Sequence, residues 1–168
     1  MHLNIASLNA HKDELDDLLS ILNLKLDIIA LSETKILKGI NPTYDPRLRG
    51  YNEFLKPTES EKGGTALYIN ENIQNTQRTD LETLLYFPKL LESSFAELVT
   101  SSKEKIIVGC IYKHPKMDID DFNTLFEAVM DKITKERKEI YLLGDFNIDL
   151  LKVDDEVHGQ KIDEYYNI

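Results

Sequence analysis

Asp145 and Asn147 stand two residues apart, directly after the apolar run of residues 140–143 and Gly144. That run is too short for a helix and long enough for a buried strand. In extended backbone, two residues of separation send both side chains off one face. A carboxylate beside an amide suits a water, a phosphate oxygen or a hard metal ion. Ligands of open α/β sheets also gather at the carboxyl ends of strands. A polar turn closing a strand gives the same pattern, and the spacing alone leaves both readings open. Two further side chains end apolar runs. Glu33 closes DIIALSE at residues 27–33 and reads as a loop acid or a metal ligand. Tyr112 closes the run at 105–112, its ring expected half in the core and its hydroxyl in water or aimed at a phosphate oxygen. His114, two residues on, is expected to be a solvent-exposed loop histidine.

The elements that must position these groups alternate along the chain. Residues 3–8 read as a strand, and Asn9 as the cap of the helix that follows. Leu15, Leu18, Leu19 and Leu22 then form one apolar stripe at helical spacing, expected to be core. The run at 27–33 reads as a strand buried on both faces, as in a sheet covered by helices. Residues 34–50 form a loop whose Lys35, Lys38, Arg47 and Arg49 suit phosphate contacts or an ordinary solvated surface. Residues 51–55 and 65–69 read as a strand pair joined by a charged turn ending in Gly63 and Gly64. Residues 70–91 carry no clear period, and Pro88 argues against a long helix there. Two more strands follow at 95–100 and 105–112. Asp118 or Asp120 caps a helix with Phe122, Leu125, Phe126, Val129, Met130 and Ile133 on one face. Lys132, Lys135, Arg137 and Lys138 near its end read as a solvated face that suits the helix dipole. A short helix is expected around 160–166.

A chain of 168 residues reads as a single domain, and a hydrophobic share of 42% supports a real core. The net charge of -10 argues against gripping nucleic acid by bulk positive charge. It leaves room for a metal enzyme that meets phosphate at one neutralised spot. The single Cys110 lies in an apolar run, so a buried thiol is expected and an intramolecular disulfide is excluded. Residues 1–10 lack a signal-peptide pattern, and no run reaches transmembrane length. The expectation is an intracellular protein, nuclear or cytoplasmic, neither secreted nor membrane-bound.

Five stretches taken in order resemble one family. They are LNIASLN at 3–9, LDIIALSET at 26–34, GGTALYI at 63–69, IYKHP at 111–115 and GDFNID at 144–149. Together they are similar to the endonuclease/exonuclease/phosphatase superfamily, the DNase I-like metal-dependent phosphodiesterases. Their local flavour is most similar to endonuclease domains of non-LTR (LINE-type) retrotransposons, which nick host DNA to prime reverse transcription. The resemblance implies an α/β fold: a four-layer sandwich of two packed mixed β-sheets flanked by helices. It implies Mg2+, with Mn2+ as an alternative, held by Glu33 with Asn4. Asp145 would orient and deprotonate the attacking water, and Asn147 and Tyr112 would donate to phosphate oxygens. Asn4 would support Asp145 and the metal's waters. The implied partners are duplex DNA and, in a full-length element, a downstream reverse transcriptase domain. The family's site is completed by a C-terminal aspartate and a Ser-Asp-His motif, which these residues lack. His158 is the only histidine after GDFN and the one candidate to replace it. The chain therefore reads as a domain with its last strands missing, leaving a sheet edge unpaired, and without the Ser-Asp-His motif it is expected to be inactive or weakly active. A relative that has lost activity but keeps the fold, and binds DNA or protein, is the alternative.

Overall fold

The computed structural model describes residues 1–22 and 25–149. Strand residues alternate between two faces, and here both faces are apolar, so each strand serves two interfaces. In the strand Ile28–Ser32, Ile29 and Leu31 point one way and Ala30 the other. In Lys105–Lys113, Ile107 and Ile111 face one side, and Val108 and Cys110 face the other. Two sheets that each bury both faces must pack against each other and carry helices outside.

In chain order the elements are β1 (His2–Asn4), α1 (Leu8–Leu22), β2 (Ile28–Ser32), β3 (Tyr51–Lys56) and β4 (Thr65–Asn70). Then come β5 (Asn75–Gln77), α2 (Thr79–Leu84), β6 (Leu91–Val99), β7 (Lys105–Lys113), α3 (Ile119–Glu136) and β8 (Glu139–Asp145). The first sheet has the order β1-β2-β4-β3, and the second β5-β6-β7-β8. Each is mixed: β1 runs parallel to β2 and β8 parallel to β7, and the other pairings are antiparallel. Helix α1 covers the outer face of the first sheet around Leu8, Leu15, Ile29, Leu31 and Tyr68. Helices α2 and α3 cover the second around Leu81, Phe95, Ile111, Phe122 and Ile133. Between the sheets lie Ala30, Leu67, Ile69, Ala96, Leu98, Val108 and Cys110. Three apolar interfaces make four layers, as expected.

Several local expectations are corrected. Ser7, not Asn9, caps α1: its Oγ accepts from the Ala10 N–H at 3.3 Å, and Asn9 already lies in the helix. The α1 stripe is only partly core. Leu15 is buried, whereas Leu18 and Leu22 are 37% and 40% exposed. The first strand ends at Asn4 because Ala6 turns into positive φ. Strand β6 begins at Leu91, four residues before the predicted start, and α2 lies in the stretch without a period. Asp118 caps α3 by accepting from the Asp120 N–H. Two of the basic residues at its end do more than face solvent. Lys132 pairs with Asp80, and Lys138 with Glu97 and Glu136. Cys110 is a buried thiol, and burial pushes its pKa up to about 12. Among the described residues no helix is long and apolar enough to cross a membrane. The helix expected at 160–166 lies outside the described residues.

Candidate functional site

The inter-sheet layer changes character towards one end. Its apolar members give way to Ser32, Thr65, Glu92, Ser94, Tyr112 and Asp145 near the strand ends. Register explains this convergence. Asn4 pairs with Ser32, Glu92 with Tyr112, and Tyr112 with Asp145, so all carry the inward parity of Ala30 and Cys110. The Thr65 and Ser94 hydroxyls lie 2.8 Å apart and tie the two sheets together there.

Asn4 is the centre of the arrangement. Its Nδ2 donates to Asp145 Oδ2 at 2.8 Å and to Glu33 Oε1 at 3.2 Å. Its Oδ1 accepts from the Ala6 N–H, which fixes the amide's orientation. One side chain thus joins a carboxylate from each sheet, 29 and 141 residues away in sequence. Asn4 holds these carboxylates by donating through its Nδ2. Tyr112 is buried, against the expectation of a hydroxyl in water, and its phenol interacts with Glu33. Burial, reinforced by the charges of Glu33, Asp145 and Glu92, pushes its pKa far up. The phenol is therefore a permanent donor.

Asn147 does not share a face with Asp145 in extended backbone. Its φ is +47°, and its Nδ2 donates to the Lys113 carbonyl at 2.8 Å. Its backbone N–H donates to Asp145 Oδ1 at 3.2 Å, so this turn steadies the aspartate. Left-handed backbone also occurs at Ala6, Glu33 and Lys35. Such conformations cost free energy in non-glycine residues and gather where a site fixes them. The Glu33 turn is held by its neighbours: Thr34 N–H donates to Gly64 O and Lys35 N–H to Gly63 O.

Sequence reasoning missed Glu92. It is 1% exposed, and its Oε1 accepts from Thr58 Oγ1 at 2.7 Å. Its Oε2 has no hydrogen-bond partner among the described residues. Burial pushes its carboxyl up from the ordinary value, against the Thr58 bond. A Cβ on Gly63 would lie 2.7 Å from that Oε2 and 3.1 Å from the Tyr112 ring. Only glycine lets the loop close over both groups. The available signal was an acid flanked on both sides by small or apolar residues, in LLESSFA at 90–96. His114, expected to be a solvent-exposed loop histidine, is in a loop but partly covered. It is half-buried, and its ring sits edge-on to Tyr112 with centroids 6.5 Å apart. Of the basic loop residues, Lys38 pairs with Glu59 and Arg47 with Asp45. His158 lies outside the described residues.

An open cleft of about 460 Å³ runs beside Asn4 and Asp145, with His2 and Asn147 on its walls. A larger groove of about 690 Å³ lies between α1 and residues 45–51. Its Lys12–Asp16 and Asp45–Arg47 pairs satisfy each other, whereas the smaller cleft is bordered by Asn4 and Asp145. Glu33 and Asp145 have only neutral side-chain donors, the Asn4 amide and the Tyr112 phenol, among the described residues. Two close carboxylates without a cationic partner fit a hard divalent ion. No group of three His, Cys, Asp or Glu converges among the described residues.

No protein-family model matches the sequence, and no curated protein does. Solved structures do match. The endonuclease domain of TRAS1, a telomere-specific non-LTR retrotransposon, is 16% identical with a TM-score of 0.69, over 99% of this chain and 69% of that one. The fold is DNase I-like. The catalytic domain of Xenopus laevis APE2 is 16% identical with a TM-score of 0.65, covering 98% of this chain and 66% of that domain. The 3'-5' exonuclease NExo from Neisseria meningitidis is 15% identical with a TM-score of 0.65, covering 99% and 69%. The chain thus spans about two thirds of the length of these DNase I-like structures. Such endonucleases, exonucleases and phosphatases share one architecture across different substrates, so the fold fixes the class of frame and not the substrate.

Proposed function

We propose that this chain is a single domain of a Mg2+-dependent phosphodiesterase acting as a DNA endonuclease of retroelement origin. The observation that carries this reading is the Asn4 amide joining Glu33 and Asp145 across the two sheets, with the protonated Tyr112 phenol beside them. Glu33 would hold the Mg2+, with Asp145 close by. Bound there, the ion would neutralise charge that develops on the phosphate. The chain's own residues do the rest. Asp145, steadied by Asn4 and by the Asn147 backbone, orients a water and takes its proton. Tyr112 donates to a phosphate oxygen, and Asn147 retains a second amide N–H for the same purpose. Asn4 keeps the two carboxylates at working distance. The retroelement origin is supported by the five sequence stretches and by likeness in fold to the TRAS1 domain.

The test is Mg2+-dependent nicking of supercoiled plasmid, with Asp145→Ala as control. Weak nicking, abolished by both EDTA and Asp145→Ala, is the expected result. A folded chain that binds duplex DNA without nicking it would sink the enzymatic reading and leave a binding domain on the same fold.

A further inference from the structure

Strand β7 ends one residue before His114, and the backbone there is held on both sides. The His114 N–H donates to Leu90 O at 2.7 Å, and its carbonyl accepts from the Met117 N–H at 2.9 Å. The imidazole is fixed as well. Its Nδ1 accepts from the Lys116 N–H at 3.1 Å. A ring nitrogen that accepts carries no proton, so the neutral ring carries its proton on Nε2. Among the described residues Nε2 has no hydrogen-bond partner. The ring's charged neighbours are Lys62, Lys116, Glu33 and Lys113. Burial first, then the three ammonium groups, lower the imidazole's pKa against the pull of Glu33. Ring protonation would also break the Lys116 bond.

The result is an oriented, uncharged N–H donor on a locally positive rim, next to a site of two carboxylates. The chain as a whole carries a net charge of -10, so this rim runs against its overall sign. It suits an anion that must reach the carboxylates. We propose that His114 is a catalytic residue of this site, its Nε2–H donating to a nonbridging oxygen of the bound phosphodiester. Lys62 and Lys116 meet flanking phosphates. The proton stays on Nε2 throughout, so His114 stabilises charge and transfers nothing. This rests on the phosphodiesterase reading above.

Two measurements test it. Long-range ¹H–¹⁵N correlation spectra of the whole chain give the tautomer directly. The proton is expected on Nε2, and that signal should shift when a short DNA duplex is added with Ca2+. A proton on Nδ1, or an Nε2 signal indifferent to the duplex, overturns the inference even in a sample that does not nick. In the plasmid assay, His114→Ala should lower kcat by ~10²-fold, the usual effect of removing one aimed donor. His114→Gln, whose amide N–H reaches the same place, should recover most of it, and thermal unfolding checks that both variants fold. Wild-type nicking with His114→Ala equally fast refutes the role of His114 and leaves the proposed function intact. No nicking by wild type, with a duplex-dependent Nε2 shift, refutes catalysis and keeps His114 as a phosphate contact.

Discussion

Gly144 offers the sharpest test of how the fold sets the site. It sits opposite Ile111 in the parallel β7–β8 pairing, with φ +152°. An added Cβ would lie 2.0 Å from the Ile111 carbonyl oxygen, where real contacts stay above 3.0 Å. The obstacle is backbone, so rotating a side chain cannot relieve it. Gly144→Ala must therefore push β8 away from β7 by about 1 Å, a clash costing roughly 1–3 kcal/mol. The backbone conformation adds about 1–2 kcal/mol of strain. We expect a total loss of about 2–5 kcal/mol in urea unfolding followed by circular dichroism. The next residue is Asp145, held 2.8 Å from Asn4. A displacement of about 1 Å at a reacting group commonly costs ~10²-fold, so nicking should fall that far in the fraction still folded. Gly39→Ala is the control. Its φ is +76° and nothing lies within 4 Å of the added methyl, so it should lose only about 1 kcal/mol and no activity. Gly144→Ala with stability within ~0.5 kcal/mol of wild type, and undiminished nicking, would refute the reasoning.

Glu33→Ala and Asp145→Ala should each lower nicking by ~10²-fold or more, about 3 kcal/mol of barrier, and near-wild-type rates would remove that residue from the site. Glu92 has its folded pKa raised above the unfolded value. The stability linked to it is complete below the unfolded pKa and is lost as pH rises through the folded one. Glu92→Gln should abolish that loss, seen as a flatter melting temperature against pH above 4.5 than wild type. Glu136 behaves oppositely: the Arg78 guanidinium beside it holds its carboxyl down at about 2. Its contribution is present above the unfolded pKa and lost as pH falls through about 2. Arg78→Ala should therefore weaken the protein at neutral pH and flatten its acid unfolding limb, and an unchanged limb would discount the ion pair.

The legible parts of the chain were those where one pattern decides. Strands β2, β4, β7 and β8 are continuous apolar runs, and α3 has an unbroken helical stripe from Phe122 to Ile133. The motif order pointed to Asn4, Glu33, Tyr112 and Asp145, which the fold brings together. What escaped depends on tertiary context. A period-2 argument for Asn147 fails because the backbone turns left-handed there. Leu18 and Leu22 keep the helical spacing of core residues, yet the described chain leaves them partly uncovered. Glu92 looks like any strand acid until register places it against Tyr112 beneath Gly63. The 70–91 stretch builds a three-residue strand and a six-residue helix, both too short for a period to emerge.

Asn4 and Asp145 sit on strands at the margins of different sheets, and a single amide spans the gap. Among the described residues no strand pairing links those two margins; the sheets are spaced by the side chains between them, Ala30, Ala96 and Cys110 and the Thr65–Ser94 hydroxyl pair among them. The Asn4–Asp145 distance is thus a measure of how one plate rests on another. Gentle heating that lets the plates slide by a fraction of an ångström should silence the protein while both sheets are still fully hydrogen-bonded. Selection for stability at higher temperature would accordingly act first on the side chains between the plates.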